Sequence, residues 1–250
     1  MKKLFFSLII LFFHITLFSL EENNTQNDLA YFTGLRVAYS DAKVVFSDTD
    51  MENSLISMIF ALEVRVDIFD YLSLGLIAGY NWNHFKDPFQ VTSLPLSLEI
   101  DNQSNNSMVF GLSLMSEFFS SGDFSISARG EFLYFKKFEQ ETEINLDIVT
   151  GSSLTKHWFY QGTLDLVLKY HGLNAMVLYA GPQLNIIKGT LTISETIEEI
   201  EAETELKHRQ KNLLGIVGGV VFEFSRNWEA GLEINYFSKL MISASIFYSF

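Results

Sequence analysis

Apolar and polar residues alternate along most of this chain. The pattern is most regular at the end, where Leu240-Met-Ile242-Ser-Ala244-Ser-Ile246-Phe-Tyr248-Ser-Phe250 puts an apolar side chain at every even position. A period of two belongs to a β-strand with two unlike faces. The same alternation, read with the turn residues, predicts ten strands near 29–40, 57–69, 72–85, 108–120, 124–137, 157–171, 174–187, 212–225, 228–237 and 240–250. Asp70-Tyr71, Ser121-Gly122-Asp123, Gly172-Leu173 and Arg226-Asn227 are tight joins, whereas 41–56, 86–107, 138–156 and 188–211 are long. Only the short Ser238-Lys239 departs from this regular succession of tight and long joins. An even number of antiparallel strands joined in this way predicts an up-and-down barrel with both termini on the tight-turn side.

The apolar face is sorted by residue type along its length. Tyr39, Tyr80, Trp82, Tyr134, Trp158, Tyr160 and Tyr236 lie toward the long joins; Tyr31, Phe124, Tyr170, Trp228, Tyr248 and Phe250 lie toward the tight turns. Between them run Leu74, Leu76, Ala78, Leu164, Leu166, Leu232, Ile234, Ile242 and Ile246. An aliphatic band between two aromatic girdles is what a membrane requires of a barrel's outer face. A soluble sandwich has no reason to sort its aromatics this way.

Met1-Lys2-Lys3 and the apolar run from Leu4 to Leu20 have the charged and hydrophobic parts of a secretory signal. Residues 1–20 are therefore read as a signal peptide cut near Ser19 or Leu20, and 21–250 as one barrel domain. As a lone transmembrane helix the run would be marginal, since it contains His14 and meets Glu21-Glu22 at once. No other stretch approaches the roughly 18 continuous apolar residues of a membrane helix. Yet 48% of the chain is hydrophobic, as expected where only alternate residues meet lipid. Removing Lys2 and Lys3 takes the formal charge from −13 to −15, which argues against a nucleic-acid partner. The absence of cysteine excludes disulfides, a thiolate nucleophile and a lipidated amino-terminal Cys.

Two segments strain the scheme. Pro182 falls inside the seventh strand, so Gly181-Pro182 predicts a bulge or bend. Leu94-Pro95-Leu96-Ser97-Leu98-Glu99-Ile100 alternates but belongs to the second long join. The inward phase continues from Arg129 to Asp147, predicting one long strand that rises above the membrane rather than two further membrane strands.

The signal segment, the alternating strands, the Tyr179-Ala-Gly-Pro182 run and the terminal Ile246-Phe-Tyr-Ser-Phe250 together resemble the small bacterial outer-membrane β-barrel proteins. That resemblance implies outer-membrane lipid as the surroundings. It also implies that Ile246, Tyr248 and Phe250 are the sorting strand read by the barrel-assembly machinery. It does not carry a function, because the same barrel serves anchors, adhesins, pores and hydrolases.

Following the opposite phase back from the last strand puts Arg36, Glu63, Arg65, Asp67, Glu117, Arg129, Glu131, Asp165, Lys169, Glu223, Glu229 and Glu233 inside the barrel, all in its tight-turn half. Asn81, Asn83, Gln161, Thr163, Gln183, Asn185 and Asn235 occupy the other half. Phe32, Phe119, Phe135, Phe159, Tyr179 and Phe247 share the inward phase and would fill space. Buried charges need partners, so four bases among eight acids read as a salt-bridged plug. Their sum of −4 also admits a narrow cation-preferring path. A ten-stranded barrel is only slightly wider than the eight-stranded kind that side chains fill, which favours the plug.

Catalytic readings are weaker. His84, Asp87 and His157 lie near the outer rim, where ten-stranded omptin-like proteases keep acidic and His-Asp groups, but none of the extended motifs of that family is evident. No Ser, His and acid set can be assigned from spacing. The fourth long join holds Glu195, Glu198, Glu199, Glu201, Glu203 and Glu205, then Lys207, His208, Arg209 and Lys211; it reads as a hairpin with facing acidic and basic arms. The alternative for this join is a surface for a cationic partner or divalent ion, helped by Glu139, Glu141, Glu143 and Asp147. The expectation is an integral barrel with a structural or surface-interaction role, no catalytic residues, no cofactor and no metal.

Overall fold

Alternation resolves into strands throughout the computed structural model, which describes residues 29–47, 51–69, 72–87, 89–91, 98–100, 105–146, 149–197, 200–236 and 238–250. Among these there are thirteen strands and no helix: β1 Ala30–Phe46, β2 Glu52–Phe69, β3 Leu72–Phe85, β4 Phe89–Val91, β5 Leu98–Ile100, β6 Asn105–Ser121, β7 Phe124–Leu146, β8 Val149–Leu173, β9 Met176–Ile197, β10 Ile200–Gln210, β11 Leu214–Ser225, β12 Trp228–Tyr236 and β13 Leu240–Ser249. The proposed signal segment and the Asp70-Tyr71 turn lie outside the described residues.

Ten of the strands close a ring in the order β1-β13-β12-β11-β9-β8-β7-β6-β3-β2, with β2 returning to β1. These are the ten that the alternation predicts. The seam is long: β13 pairs with β1 from Phe32↔Ser249 to Asp41↔Leu240, and the Phe250 amide donates to the Tyr31 carbonyl at 2.9 Å. Closure leaves no free edge in this ring. The outer face carries the aliphatic band, with Leu76, Leu164, Leu232, Ile234 and Ile242 exposed, while Ser125, Ser127, Asn81 and Asn235 are buried on the inner face. Tyr39, Tyr80, Trp82, Tyr134 and Tyr236 form an exposed girdle at one end; Tyr31, Phe124 and Trp228 do so at the other.

A second storey stands above this ring on the long-join side, the side expected to face outward. About 9–11 tilted residues cross a bilayer, and the 9 residues of β12 suffice; the 23 of β7, 25 of β8 and 22 of β9 continue far beyond. β9 pairs with β11 near the membrane, from Met176 to Leu184, and with β10 above it, from Lys188 to Ile197. β1 likewise pairs with β13 below and with β10 above, through Val44↔Gln210, Val45↔Arg209 and Phe46↔His208. One strand thus spans the arc that β11, β12 and β13 occupy lower down. The barrel tapers, and inward side chains meet across a narrower space.

Several expectations are corrected in detail. Pairing between β8 and β9 lapses at Gly181-Pro182 but resumes in the same register, from Asp165↔Gln183 to Leu168↔Ala180, so there is no bulge. Gly181 is needed there because a Cβ would stand 1.8 Å from the Leu166 carbonyl oxygen. The register shifts elsewhere instead, between Tyr170 and Leu173, which moves the predicted Gly172-Leu173 turn to Asn174-Ala175, with Ala175 at φ 57°. A shift between Phe135 and Phe138 breaks the inward phase expected to run from Arg129 to Asp147, although β7 is one long strand as expected. Another, between Glu117 and Phe119, turns Phe119 out of the lumen to 53% exposure. Of the Leu94–Ile100 segment, the described residues Leu98–Ile100 form β5, which pairs with β4 apart from the barrel; 94–97 lie outside the described residues.

The β9–β10 hairpin does not set acid against base. Glu201, Glu203 and Glu205 face Thr196, Ser194 and Thr192, while Arg209 faces Lys188. Ile197 pairs with Ile200 at the end of the hairpin, so Glu201, Glu203 and Glu205 share β10 with the basic run, and Glu205 pairs along that strand with Lys207 at 3.4 Å; Glu198 and Glu199 lie outside the described residues. A peptide tag inserted at Glu201 is expected to be labelled on intact cells, and one at Gly122 or Asn227 only after lysis. Labelling of the tight turns on intact cells would invert the orientation.

Candidate functional site

The inward phase of the ten-stranded ring gathers ionisable groups at one depth, and their bonds run across the lumen as well as along its wall. Arg36 on β1 pairs with Glu131 on β7, which is not a sheet neighbour. Arg129 on β7 holds Asp165 of adjacent β8 at 2.7 Å and Glu233 of distant β12 at 2.8 Å. Arg65 on β2 reaches Glu229 on β12 at 3.0 Å and Asp67 at 3.4 Å, and Lys169 on β8 reaches Glu117 on β6 at 3.5 Å. Two charged nitrogens on one planar guanidinium let Arg129 bind two carboxylates at once, which a lysine cannot do with the same fixed geometry.

Neutral donors and rings complete the layer. Glu63 accepts the Ser113 hydroxyl at 2.9 Å, across Gly75, where a Cβ would stand 2.1 Å from Ser113 Oγ. The Tyr179 hydroxyl donates to Glu233 at 2.8 Å. The Arg65 guanidinium lies 4.2 Å from the Phe32 ring centre and 5.0 Å from that of Phe247; Arg129 lies 4.8 Å from that of Tyr179. Such faces attract a cation while excluding water from it. A cavity of about 350 Å³ remains among these groups, with Arg36, Glu63, Arg65, Arg129, Glu131 and Glu233 in its wall. Glu223, also expected inside, lines this cavity too, while remaining exposed near the tight-turn end of β11.

Above the charges lies an amide layer. Gln183 donates to Asp165 at 2.9 Å and to Asn235 at 2.8 Å, and Asn235 donates to Glu233 at 3.2 Å. Asn185 bonds Gln210, which donates to the Ser238 carbonyl at 2.7 Å. Asn81 and Asn83 both reach Ser107 Oγ. The Ser238-Lys239 join, read from sequence as an external turn, is itself buried, with Lys239 only 3% exposed. The signal was present: Lys239 shares the odd parity of Met241 and Ser243, the inward side of β13.

The tapered storey ends in an apolar cap. Phe46, Phe85, Phe135, Phe159, Leu191 and Ile193 are all buried there. Phe135 and Phe159 stack at 4.0 Å, and Phe46 and Phe85 meet at 5.6 Å. His157 and His208 are buried among these rings. His84 points the other way, with its ring 6.1 Å from that of Trp82, so it does not join His157. Among the described residues no group of three or more His, Asp or Glu side chains is arranged to hold a metal ion.

At the terminal strand, Trp228 meets Tyr248 edge-on at 5.0 Å, and Tyr248 meets Phe250 at 4.9 Å. Ile246 lies on the exposed apolar face. The three residues of the expected sorting strand therefore end the barrel in an aromatic corner.

No protein-family model and no curated protein sequence matches this chain. Solved structures do. The outer membrane protease OmpT from Escherichia coli is similar at a TM-score of 0.50 and 10% identity, over 92% of this chain and 99% of that one. The translocator domain of the autotransporter NalP from Neisseria meningitidis aligns over 93% of this chain and 91% of its own, at a TM-score of 0.46 and 9% identity. Ail, the attachment invasion locus protein of Yersinia pestis, aligns over 88% and 98%, at 0.33 and 10%. At these identities the likeness concerns architecture alone. A closed ten-stranded ring, an aliphatic belt between aromatic girdles and the likeness to OmpT together give the chain the fold of a small outer-membrane β-barrel.

Proposed function

We propose that this barrel is closed to solutes and acts as an integral structural or surface-interaction protein of the outer membrane, with no catalysis of its own. The observation that carries the reading is the apolar cap, where Phe46, Phe85, Phe135 and Phe159 fill the tapered outer storey. Ions crossing it would have to shed water among hydrocarbon side chains, at a cost of several kcal/mol or more. Beneath it, cross-lumen ion pairs tie opposite walls together. The tall β7–β10 sheet gives the protein a surface well outside the membrane, with Glu201, Glu203 and Glu205 exposed along β10. A cationic partner would be attracted there.

A second reading has one observation in its favour: the 350 Å³ cavity has more acids than bases in its wall, as a cation path would. Planar-bilayer recording of the refolded protein at pH 7 separates the two. No steady current is expected. Steady cation-selective conductance would replace the closed barrel with the pore.

A further inference from the structure

Two buried imidazoles face each other inside the cap. His157 on β8 and His208 on β10 approach with their Nε2 atoms 2.9 Å apart, and His157 Nδ1 lies 3.2 Å from Asn83 Oδ1. With Asn83 Oδ1 as acceptor, His157 carries its proton on Nδ1, its Nε2 is a lone pair, and His208 Nε2–H donates to it. Reversing the Asn83 amide reverses the donor and acceptor along this chain of bonds. In either case one proton lies between the two Nε2 atoms and both rings are neutral. His208 Nδ1 has no hydrogen-bond partner.

The surroundings are unsuited to an imidazolium. The Phe85 ring lies 5.1 Å from His157 and 5.6 Å from His208, and Phe159 is stacked 5.0 Å from His157. The described residues of β1, β2, β3 and β7 present apolar or amide side chains to the pair, such as Phe46, Leu55, Asn83 and Phe135. The inward-facing ionisable groups to either side are Glu195, farther out on β9, and Lys239, toward the membrane. A second proton between the rings would set N–H against N–H. One on His208 Nδ1 would put a charge where no acceptor waits.

The pair also sits at the weakest join of the storey. Among the described residues, β10 is held to β1 by only Val44↔Gln210, Val45↔Arg209 and Phe46↔His208, flanked by Lys211 N to Lys43 O at 2.9 Å and Ser47 N to Lys207 O at 2.8 Å. We propose that the His157–His208 pair is an acid-released latch: neutral, it ties β10 to β8 and keeps the outer storey shut, and protonated, it parts β10 from β1 and opens the cap to the cavity beneath. The latch rests on the closed-lumen reading above.

Burial lowers His208 from 6.5 to about 4. Because the folded state resists the proton that the unfolded state accepts, the latch's contribution is complete above pH 6.5 and is lost progressively as the pH falls toward 4. Wild-type protein in planar bilayers is expected to be silent at pH 7 and to conduct at pH 4. Lumen carboxylates titrate in acid as well, so the control is H157Q/H208Q, in which two amides replace the imidazoles and do not titrate; it is expected to stay silent at both pH values. Steady wild-type current at pH 7 overturns the closed lumen and the latch together. Silence at pH 4, or equal acid-induced current in the variant, overturns the latch alone. Should the variant fail to refold, amide exchange of the wild type decides: protection at Leu206–Gln210 is expected to fall at least about tenfold between pH 7 and 4, relative to Glu229–Asn235. Unchanged relative protection would overturn the latch.

Discussion

Phe159→Ala is expected to destabilise the barrel by about 3–5 kcal/mol and to make it leak. Phe159 is 2% exposed and stacked against Phe135 at 4.0 Å and against His157 at 5.0 Å. Removing its ring empties the middle of the cap, and the surrounding strands cannot collapse inward because their hydrogen-bonded ring fixes the diameter. Urea or thermal unfolding of the refolded variant reads the first effect, and bilayer conductance at pH 7 the second. A variant as stable and as silent as wild type would mean that closure lies elsewhere than in the cap.

Arg129→Ala is expected to cost a similar amount, about 3–5 kcal/mol, through a different cause. Asp165 and Glu233 lose the one guanidinium that both touch, at 2.7 and 2.8 Å, and remain in a confined space with their charges uncompensated. Arg129→Lys is expected to recover part of the loss, since an ammonium satisfies one carboxylate but not both in the same geometry. The same unfolding assay checks this, and an Arg129→Ala variant as stable as wild type would show that these charges do not govern the layer.

The ten membrane strands were legible because lipid enforces a strict choice of side at every residue. Tyr39, Ile242 and Leu232 have no alternative to the outer face, nor Arg129 and Asp165 to the inner one, so parity alone fixes both. Parity fails where the backbone inserts a residue. The shifts at Glu117/Phe119, Phe135/Phe138 and Tyr170/Leu173 each reset the phase, and no local residue signals them. The cap was hidden for another reason: its members come from β1, β2, β3, β6, β7, β8 and β9, with Leu206 of β10 packed against them, and only the taper imposed by β10 brings them together. Pairings between residues distant in sequence leave no periodic trace in the segments they join. Which acid meets which base across the lumen was equally unreadable, since Arg36–Glu131 depends on the ring's width and not on spacing along either strand.

β1 holds β13 and β10 at two heights, and this imposes an order on maturation. β10 pairs readily with β9, its neighbour along the chain, but its contact with β1 joins residues far apart in sequence, Phe46 with His208, and that costs loop-closure entropy until another bond has already brought the two strands close. The β1–β13 seam supplies that bond. The upper pairing of Phe46 with His208 therefore comes last, after the lower ring has zipped shut, and β10 stays open to a protease on every molecule whose first and last membrane strands have not yet met. Resistance of β10 to cleavage would mark the finished barrel and distinguish it from an inserted but unsealed intermediate.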